Sequence, residues 1–227
     1  MLNLSEIKGC VFDAYGTLFD FSSAISRNSI DLGEKKDQMI STWRLKQIEY
    51  TQLRSLMGRY TDFETVTREA LCYALKSVGV EDKMLVDQLM ESYFLLDPYD
   101  DAFDLIRDLS LEGYWCSILS NGSMQMLKSA VSAAKLNENL NAVLSVETVG
   151  VFKPHPSTYR MAVAESGIEA RRILFVSSNP WDVAGASTFG FKCAWINRTR
   201  TIAENIPGQA DFEIETLAAL KPLLKKT

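Results

Sequence analysis

One histidine, four cysteines and six prolines are all that 227 residues supply of the commonest metal ligand, the cross-linker and the helix breaker. The cysteines, Cys10, Cys72, Cys116 and Cys193, stand far apart and form no Cys-x-x-Cys pair. A zinc site of histidines and cysteines is therefore unsupported. Three of the thiols fall in strand-like apolar runs, where Cys packs as a small hydrophobe, and unpaired thiols suit a reducing, cytoplasmic setting. Positive charge is scarce as well. With 24 Lys and Arg against 29 Asp and Glu, the net charge is -5, and no basic face is offered to nucleic acid. No apolar run reaches spanning length, so no membrane partner is expected. Strand signal begins near residue 7, leaving no room for a secretory leader.

What is present is an ordinary globular composition, 47% hydrophobic and 23% charged. The length fits one large domain or a core with an insertion. The apolar run Ile7 to Phe12 predicts a buried strand that ends on Asp13, with a turn at Gly16 and a hydroxyl at Thr17. Carboxylates at strand ends cap turns, but they also line the ligand crevice of parallel α/β sheets.

From Asp20 to about Asp97 the pattern is helical throughout. Apolar residues between positions 40 and 60 fall on nearly every side, predicting a helix sandwiched between neighbours. Thr61 to Glu64 reads as a capping box opening a second helix that Gly79 ends, and a third runs from about Met84 to Leu95. Strand-helix alternation then resumes. Strands are predicted at Trp115–Leu119, Ala142–Val146, Ile173–Val176, Lys192–Ile196 and around Phe212, with a final helix near Leu217 to Leu224. The expected fold class is α/β, a doubly wound Rossmann-like parallel sheet with an inserted helical cap. The core would comprise residues 1-19 and 98-227, and the cap residues 20-97.

Four polar loops follow predicted strands: Asp13 to Thr17, Ser120 to Ser123, Lys153, and Ser177 to Asp182. A doubly wound sheet brings all four to one edge. Each has a plainer reading. Ser120 and Ser177 suit helix N-caps, Asp182 suits a first helical turn, and Lys153 suits a solvated loop. Arg44 lies among apolar neighbours, where a charge needs a partner, a ligand or a route to water. His155, flanked by prolines, reads as a loop residue.

The stretch Asp13-Ala14-Tyr15-Gly16-Thr17 resembles the first motif of the haloacid dehalogenase superfamily. In the superfamily's phosphatases an acid follows the nucleophile by two residues; here Tyr15 stands there. Ser177-Ser178 likewise replaces an acid that would bind magnesium. Trp43-Arg44-Leu45-Lys46-Gln47, Tyr60-Thr61-Asp62-Phe63, Ser120-Asn121-Gly122, Phe152-Lys153-Pro154 and Phe175-Val176-Ser177-Ser178-Asn179 look like the L-2-haloacid dehalogenases, across essentially the whole chain.

The resemblance implies a metal-independent, cofactor-free hydrolase. It would turn an (S)-2-haloalkanoate and water into an (R)-2-hydroxyacid and halide, as a homodimer. By position, Asp13 is implied as nucleophile and Lys153 as its orienting cation. Arg44 receives the halide, while Thr17, Ser120 and Asn121 bind substrate and position the nucleophile. Tyr159, Ser177, Asn179 and Asp182 complete the polar shell, Asp182 serving the hydrolytic water. Tyr15, Phe63 and Trp181 are implied as pocket walls. Leu45, where the family often has Gln, is expected to make the pocket more apolar. The competing readings are a magnesium-dependent phosphatase and a non-catalytic interaction protein.

Overall fold

A computed structural model describes residues 4–26 and 33–224. Six parallel strands form the sheet: β1 (Gly9–Phe12), β4 (Trp115–Ser120), β5 (Ala142–Ser145), β6 (Ile173–Ser177), β7 (Lys192–Ile196) and β8 (Phe212–Ile214), in the order β5-β4-β1-β6-β7-β8. β1 is central, with Phe12 in register with Ile118 on one side and Val176 on the other. The chain goes from β1 to β4 and β5 on one flank, then crosses back to β6. That change of direction opens the crevice at the carboxyl ends of the central strands.

Both faces of the central strands β1, β4, β6 and β7 are buried, which explains why they read as nearly continuous apolar runs. Cys10 and Phe12 of β1, with Leu174 and Val176 of β6, face helices α5 (Ala102–Leu111), α6 (Met124–Ala133) and α9 (Leu220–Leu224). Val11, Ile173 and Phe175 face α7 (Pro156–Ser166) and α8 (Pro180–Phe189) through Tyr159, Ala162, Val183 and Ala186. Each fully buried Phe or Leu of this kind contributes about 1.5–3 kcal/mol of transfer free energy.

The helical block lies between two short strands, β2 (Phe19–Asp20) and β3 (Asp97–Pro98), which pair antiparallel and join its entrance to its exit. It contains α1 (Ser23–Ser26), α2 (Lys36–Leu56), α3 (Phe63–Ser77) and α4 (Lys83–Tyr93); residues 27–32 of the expected block fall outside the described ones. The sandwiched helix is not borne out. The buried residues of α2 are Met39, Trp43, Gln47 and Thr51, a single stripe at four-residue spacing. Leu45, Leu53, Leu56 and Met57 are exposed. The capping box also shifts by a residue: Asp62, not Thr61, caps α3, accepting from the Thr65 backbone N–H at 2.8 Å. An Asp carboxylate is at least as good an N-cap as a Thr hydroxyl, and Phe63 can then turn inward as the first helical residue. α2 and α3 are tied by the Trp43 indole N–H donating to the Thr67 carbonyl at 2.9 Å.

Candidate active site

Asp13 follows the last residue of β1, its backbone N–H donating to the Val176 carbonyl at 2.9 Å. The carboxylate emerges between the ends of β4 and β6, which carry Ser120 and Ser177. The chain then reverses at Gly16, whose φ of +85° suits glycine and where a Cβ would meet Ser178 Oγ at 2.8 Å. The turn brings Thr17 back beneath Asp13. Thr17 Oγ1 accepts from the Ser178 backbone N–H at 2.9 Å and lies 3.3 Å from both Asp13 Oδ2 and Ser178 Oγ, either of which can take its proton.

The two oxygens of Asp13 differ. Oδ2 also accepts from the Asn179 side-chain amide at 2.8 Å and lies 3.3 Å from Ser177 Oγ. Oδ1 has one protein donor among the described residues, Lys153 Nζ at 3.1 Å. Lys153 is almost wholly buried and also donates to Asp182 Oδ2 at 2.8 Å. Asp182 accepts in turn from the Tyr159 hydroxyl at 2.8 Å. Ser177 Oγ sits 3.3 Å from Asp13 Oδ2 and 3.4 Å from Asp182 Oδ2, so its one proton serves one carboxylate at a time.

One buried ammonium is thus shared by two buried carboxylates. Burial pushes the Asp182 carboxyl up, to about 6; Lys153 pulls it down, and the neighbouring Asp13 adds to the rise. Burial would lower the Lys153 ammonium, but the two carboxylates outweigh it and hold it above its ordinary value. Lys153 therefore supplies fixed positive charge between the two acids. Among the described residues no cluster of three or more His, Cys, Asp or Glu side chains is placed to hold a metal.

The roof comes from the helical block. Arg44 of α2 reaches across to donate to Asn179 Oδ1 at 3.1 Å, so Asn179 bonds Asp13 through one end of its amide and the cap cation through the other. No carboxylate among the described residues forms an ion pair with Arg44. Below it lies a cavity of about 20 Å³ lined by Asp13, Tyr15, Ile48, Phe63, Asn121 and Trp181 among others, room for about one water. The Ser120 hydroxyl and Asn121 amide keep unused donors toward it: among the described residues Ser120 Oγ only accepts, from Gly122 N at 3.1 Å, and Asn121 Oδ1 accepts from Lys153 N at 2.9 Å. Tyr15 stacks on Phe63 at 5.6 Å between ring centroids and packs on Tyr93. Gly122 permits this, because a Cβ there would meet the Tyr15 hydroxyl at 2.6 Å. Burial raises the Tyr15 phenol well above its ordinary value, so the wall stays neutral.

The sequence model of haloacid dehalogenase-like hydrolases matches residues 7–190. The chain belongs to that family. It is 40% identical over 224 residues to (S)-2-haloacid dehalogenase 4A of Burkholderia cepacia, covering 98% of this chain and 97% of that protein. It is also 40% identical to the (S)-2-haloacid dehalogenase of Pseudomonas sp. strain YL, over 98% of this chain and 96% of that one. A solved structure of the L-2-haloacid dehalogenase of Xanthobacter autotrophicus, with chloropropionic acid covalently bound, superposes with a TM-score of 0.89. That protein is 36% identical, and the match covers 96% of this chain and 98% of that one.

Most residues singled out in the sequence converge on this haloacid dehalogenase-like site: Asp13, Thr17, Lys153, Tyr159, Ser177, Asn179 and Asp182 form one hydrogen-bonded cluster. Tyr15, Arg44, Phe63, Ser120, Asn121 and Trp181 line the cavity. Leu45 does not. It is 62% exposed on the outer face of α2, because one residue along a helix turns the side chain by about 100° from Arg44. Besides Arg44, the positions that do reach the cavity from α2 are Gln47, Ile48 and Thr51. The signal for Gln47 and Thr51 was the four-residue stripe, in which they continue the apolar Met39 and Trp43; Ile48 lies one turn beyond Arg44. Arg198 was also missed. It donates to Asp101 at 3.0 Å and to the Thr17 carbonyl at 3.2 Å, pinning the loop from Asp13 to Thr17 from the far side.

Proposed function

We propose that this protein hydrolyses (S)-2-haloacids to (R)-2-hydroxyacids. The observation that carries the reading is the pairing of a buried, lysine-held carboxylate at the central strand end with a cap arginine that no carboxylate among the described residues neutralises. Asp13 Oδ1, the less occupied oxygen, attacks the carbon bearing the halogen. The carbon-halogen bond breaks, the electron pair leaves with the halide, and no proton is required. Arg44 receives the anion in a site too dry to solvate it. This one displacement inverts the carbon.

The resulting ester keeps Asp13 Oδ2 as its carbonyl oxygen, beside the donors of Thr17, Ser177 and Asn179. Those donors stabilise the oxyanion when water adds to the carboxyl carbon. Asp182, raised toward neutrality, takes the proton of that water. Lys153 keeps Asp13 and Asp182 apart and Asp13 oriented, and Tyr159 holds Asp182. The substrate carboxylate binds to the Ser120 hydroxyl and the Asn121 amide, with Tyr15, Phe63, Ile48 and Trp181 enclosing its short chain. The division of labour is a core of residues 1-19 and 98-227 and a cap of residues 20-97, which must lift to admit an acid into a one-water cavity.

No helix among the described residues is long and apolar enough to cross a membrane. The buried free thiols of Cys10, Cys116 and Cys193 suit a cytoplasmic protein. Leu53, Met57 and Tyr73 border an exposed groove on the cap, and we assign this face to a homodimer contact, testable by light scattering. The test of function is halide release from the two enantiomers of 2-chloropropionate. Release from the (S) form, with (R)-lactate as product, is expected; release from neither refutes the reading.

A further inference from the structure

Gln47 has no part in the reaction described above, yet it is a fully buried polar residue on the cap helix and lines the same cavity. Its side-chain oxygen accepts from Arg44 Nη1 at 2.7 Å. Its Nε2 donates to Thr67 Oγ1 at 2.7 Å and to the Tyr93 hydroxyl at 3.1 Å. The orientation of this amide is fixed by its neighbours. Thr67 gives its own proton to the Phe63 carbonyl at 2.6 Å, so its oxygen can only accept from Gln47. Arg44 has only donors, so it must meet the oxygen end.

A guanidinium held from one side by Gln47 and from the other by Asn179 has its plane set without any loss of net charge. A carboxylate at position 47 would hold it in the same place and cancel the charge that a halide needs. A hydrocarbon would leave the charge but free the fork to turn away. Glutamine is the side chain that does neither. We propose that Gln47 is a positioning residue: anchored on Thr67 of α3 and Tyr93 of α4, it aims Arg44 at the leaving halide while keeping the cation unpaired. The halide, in this account, binds against the remaining face of the Arg44 guanidinium above Asp13.

The proposal rests on the dehalogenase reading, so the experiment separates the two. Bromide is titrated into wild type, Gln47→Met and Gln47→Glu, following tryptophan fluorescence, and halide release is measured in a single turnover of (S)-2-chloropropionate. Bromide binding needs no turnover; a wild type that binds bromide but releases no halide fails the functional reading alone. For Gln47→Met, bromide affinity and the rate of halide release should each fall about tenfold while substrate KM stays within about threefold. For Gln47→Glu, bromide affinity should fall about a hundredfold although the hydrogen bond to Arg44 is kept, since the carboxylate cancels the charge that the halide needs. A purely structural role predicts the opposite order, or loss of thermal stability with bromide affinity intact. Bromide affinity and release within about threefold of wild type in Gln47→Met overturn the proposal. If one variant fails to fold, the other decides. If both fail, Tyr93→Phe decides: it removes one anchor of the amide and keeps the ring, and unchanged bromide affinity would refute the assignment.

Discussion

Replacing Asp182 by Asn removes one of the two carboxylates that share Lys153 and tests the proton accounting of the site directly. In the wild type, burial raises this carboxyl from its ordinary 3.8 to about 6, which corresponds to about 3 kcal/mol. Between those values the folded protein binds a proton that the unfolded chain has released. Stability from this group is therefore fully present below about pH 4 and lost as pH rises through about 6. Lys153 does not blur the slope, because it is held above its ordinary 10.5 and stays charged across this window. Urea denaturation from about pH 4 to pH 7 should show the stability of wild type minus that of Asp182→Asn shrinking by about 3 kcal/mol. The activity should divide in the same place. The variant should release about one equivalent of halide and stop, holding the ester on Asp13, because no base remains for the water. In the wild type, steady turnover should lose activity below about pH 6, while single-turnover halide release, which moves no proton, should not. A stability difference that does not change with pH, together with continued turnover by the variant, would refute this account of Asp182.

Other outcomes follow from the same geometry. Arg44→Ala should slow single-turnover halide release by about 100- to 1000-fold with the fold intact, and Arg44→Lys should recover only part of it because the planar fork is lost; a rate within about threefold of wild type would place the halide elsewhere. A single turnover in heavy-oxygen water should label the peptide containing Asp13 and leave the hydroxyacid unlabelled, checked by mass spectrometry of both. Halide release should survive a strong chelator; loss that magnesium restores would mean Lys153 is not the cation that organises Asp13 and Asp182. Leu45→Gln, on the exposed face of α2, should leave relative rates across chloro, bromo and longer-chain substrates unchanged.

The core was legible because its signals are local. All strands of the sheet but β8 are largely apolar runs, each run ends at a polar loop, and a parallel sheet collects such loops at one edge whatever the helices between them do. Asp13, Ser120, Lys153 and Ser177 were found in this way. The β2-β3 pair was not, because Phe19 and Pro98 meet across 79 residues of chain and neither two-residue strand has a pattern of its own. The cap misled for a different reason. α2 carries apolar residues all round, so periodicity cannot say which side is buried, and the expectation for Leu45 rests on the family resemblance and its adjacency to Arg44. The buried stripe is marked by what lies on it, Trp43 and Gln47 one turn apart, and by the bonds each makes to Thr67. Those bonds join residues 20 or more positions apart, and no one-dimensional pattern displays them.

Charge conservation explains why the site carries two acids and two cations rather than one of each. Before substrate binds, Asp13 and Asp182 balance Lys153 and Arg44. A haloacid brings one negative charge on its carboxylate. When the ester forms, Asp13 becomes neutral and the same charge appears on the halide beside Arg44. The total is unchanged, and the charge has moved only from one cation toward the other. An enclosed, poorly solvated cavity tolerates such a step because no charge is created in it. Hydrolysis is different. Water, the ester and no external base yield a carboxylate, an alcohol and one proton, and the proton has to rest somewhere before the cap opens. With Lys153 held fully charged by two carboxylates, Asp182 is the group in reach that can take the proton, and burial places its affinity for it near neutrality. Moving that carboxyl back to an ordinary value by exposing it to water, with Asp13 still on Lys153, would leave the nucleophilic step intact and slow the second.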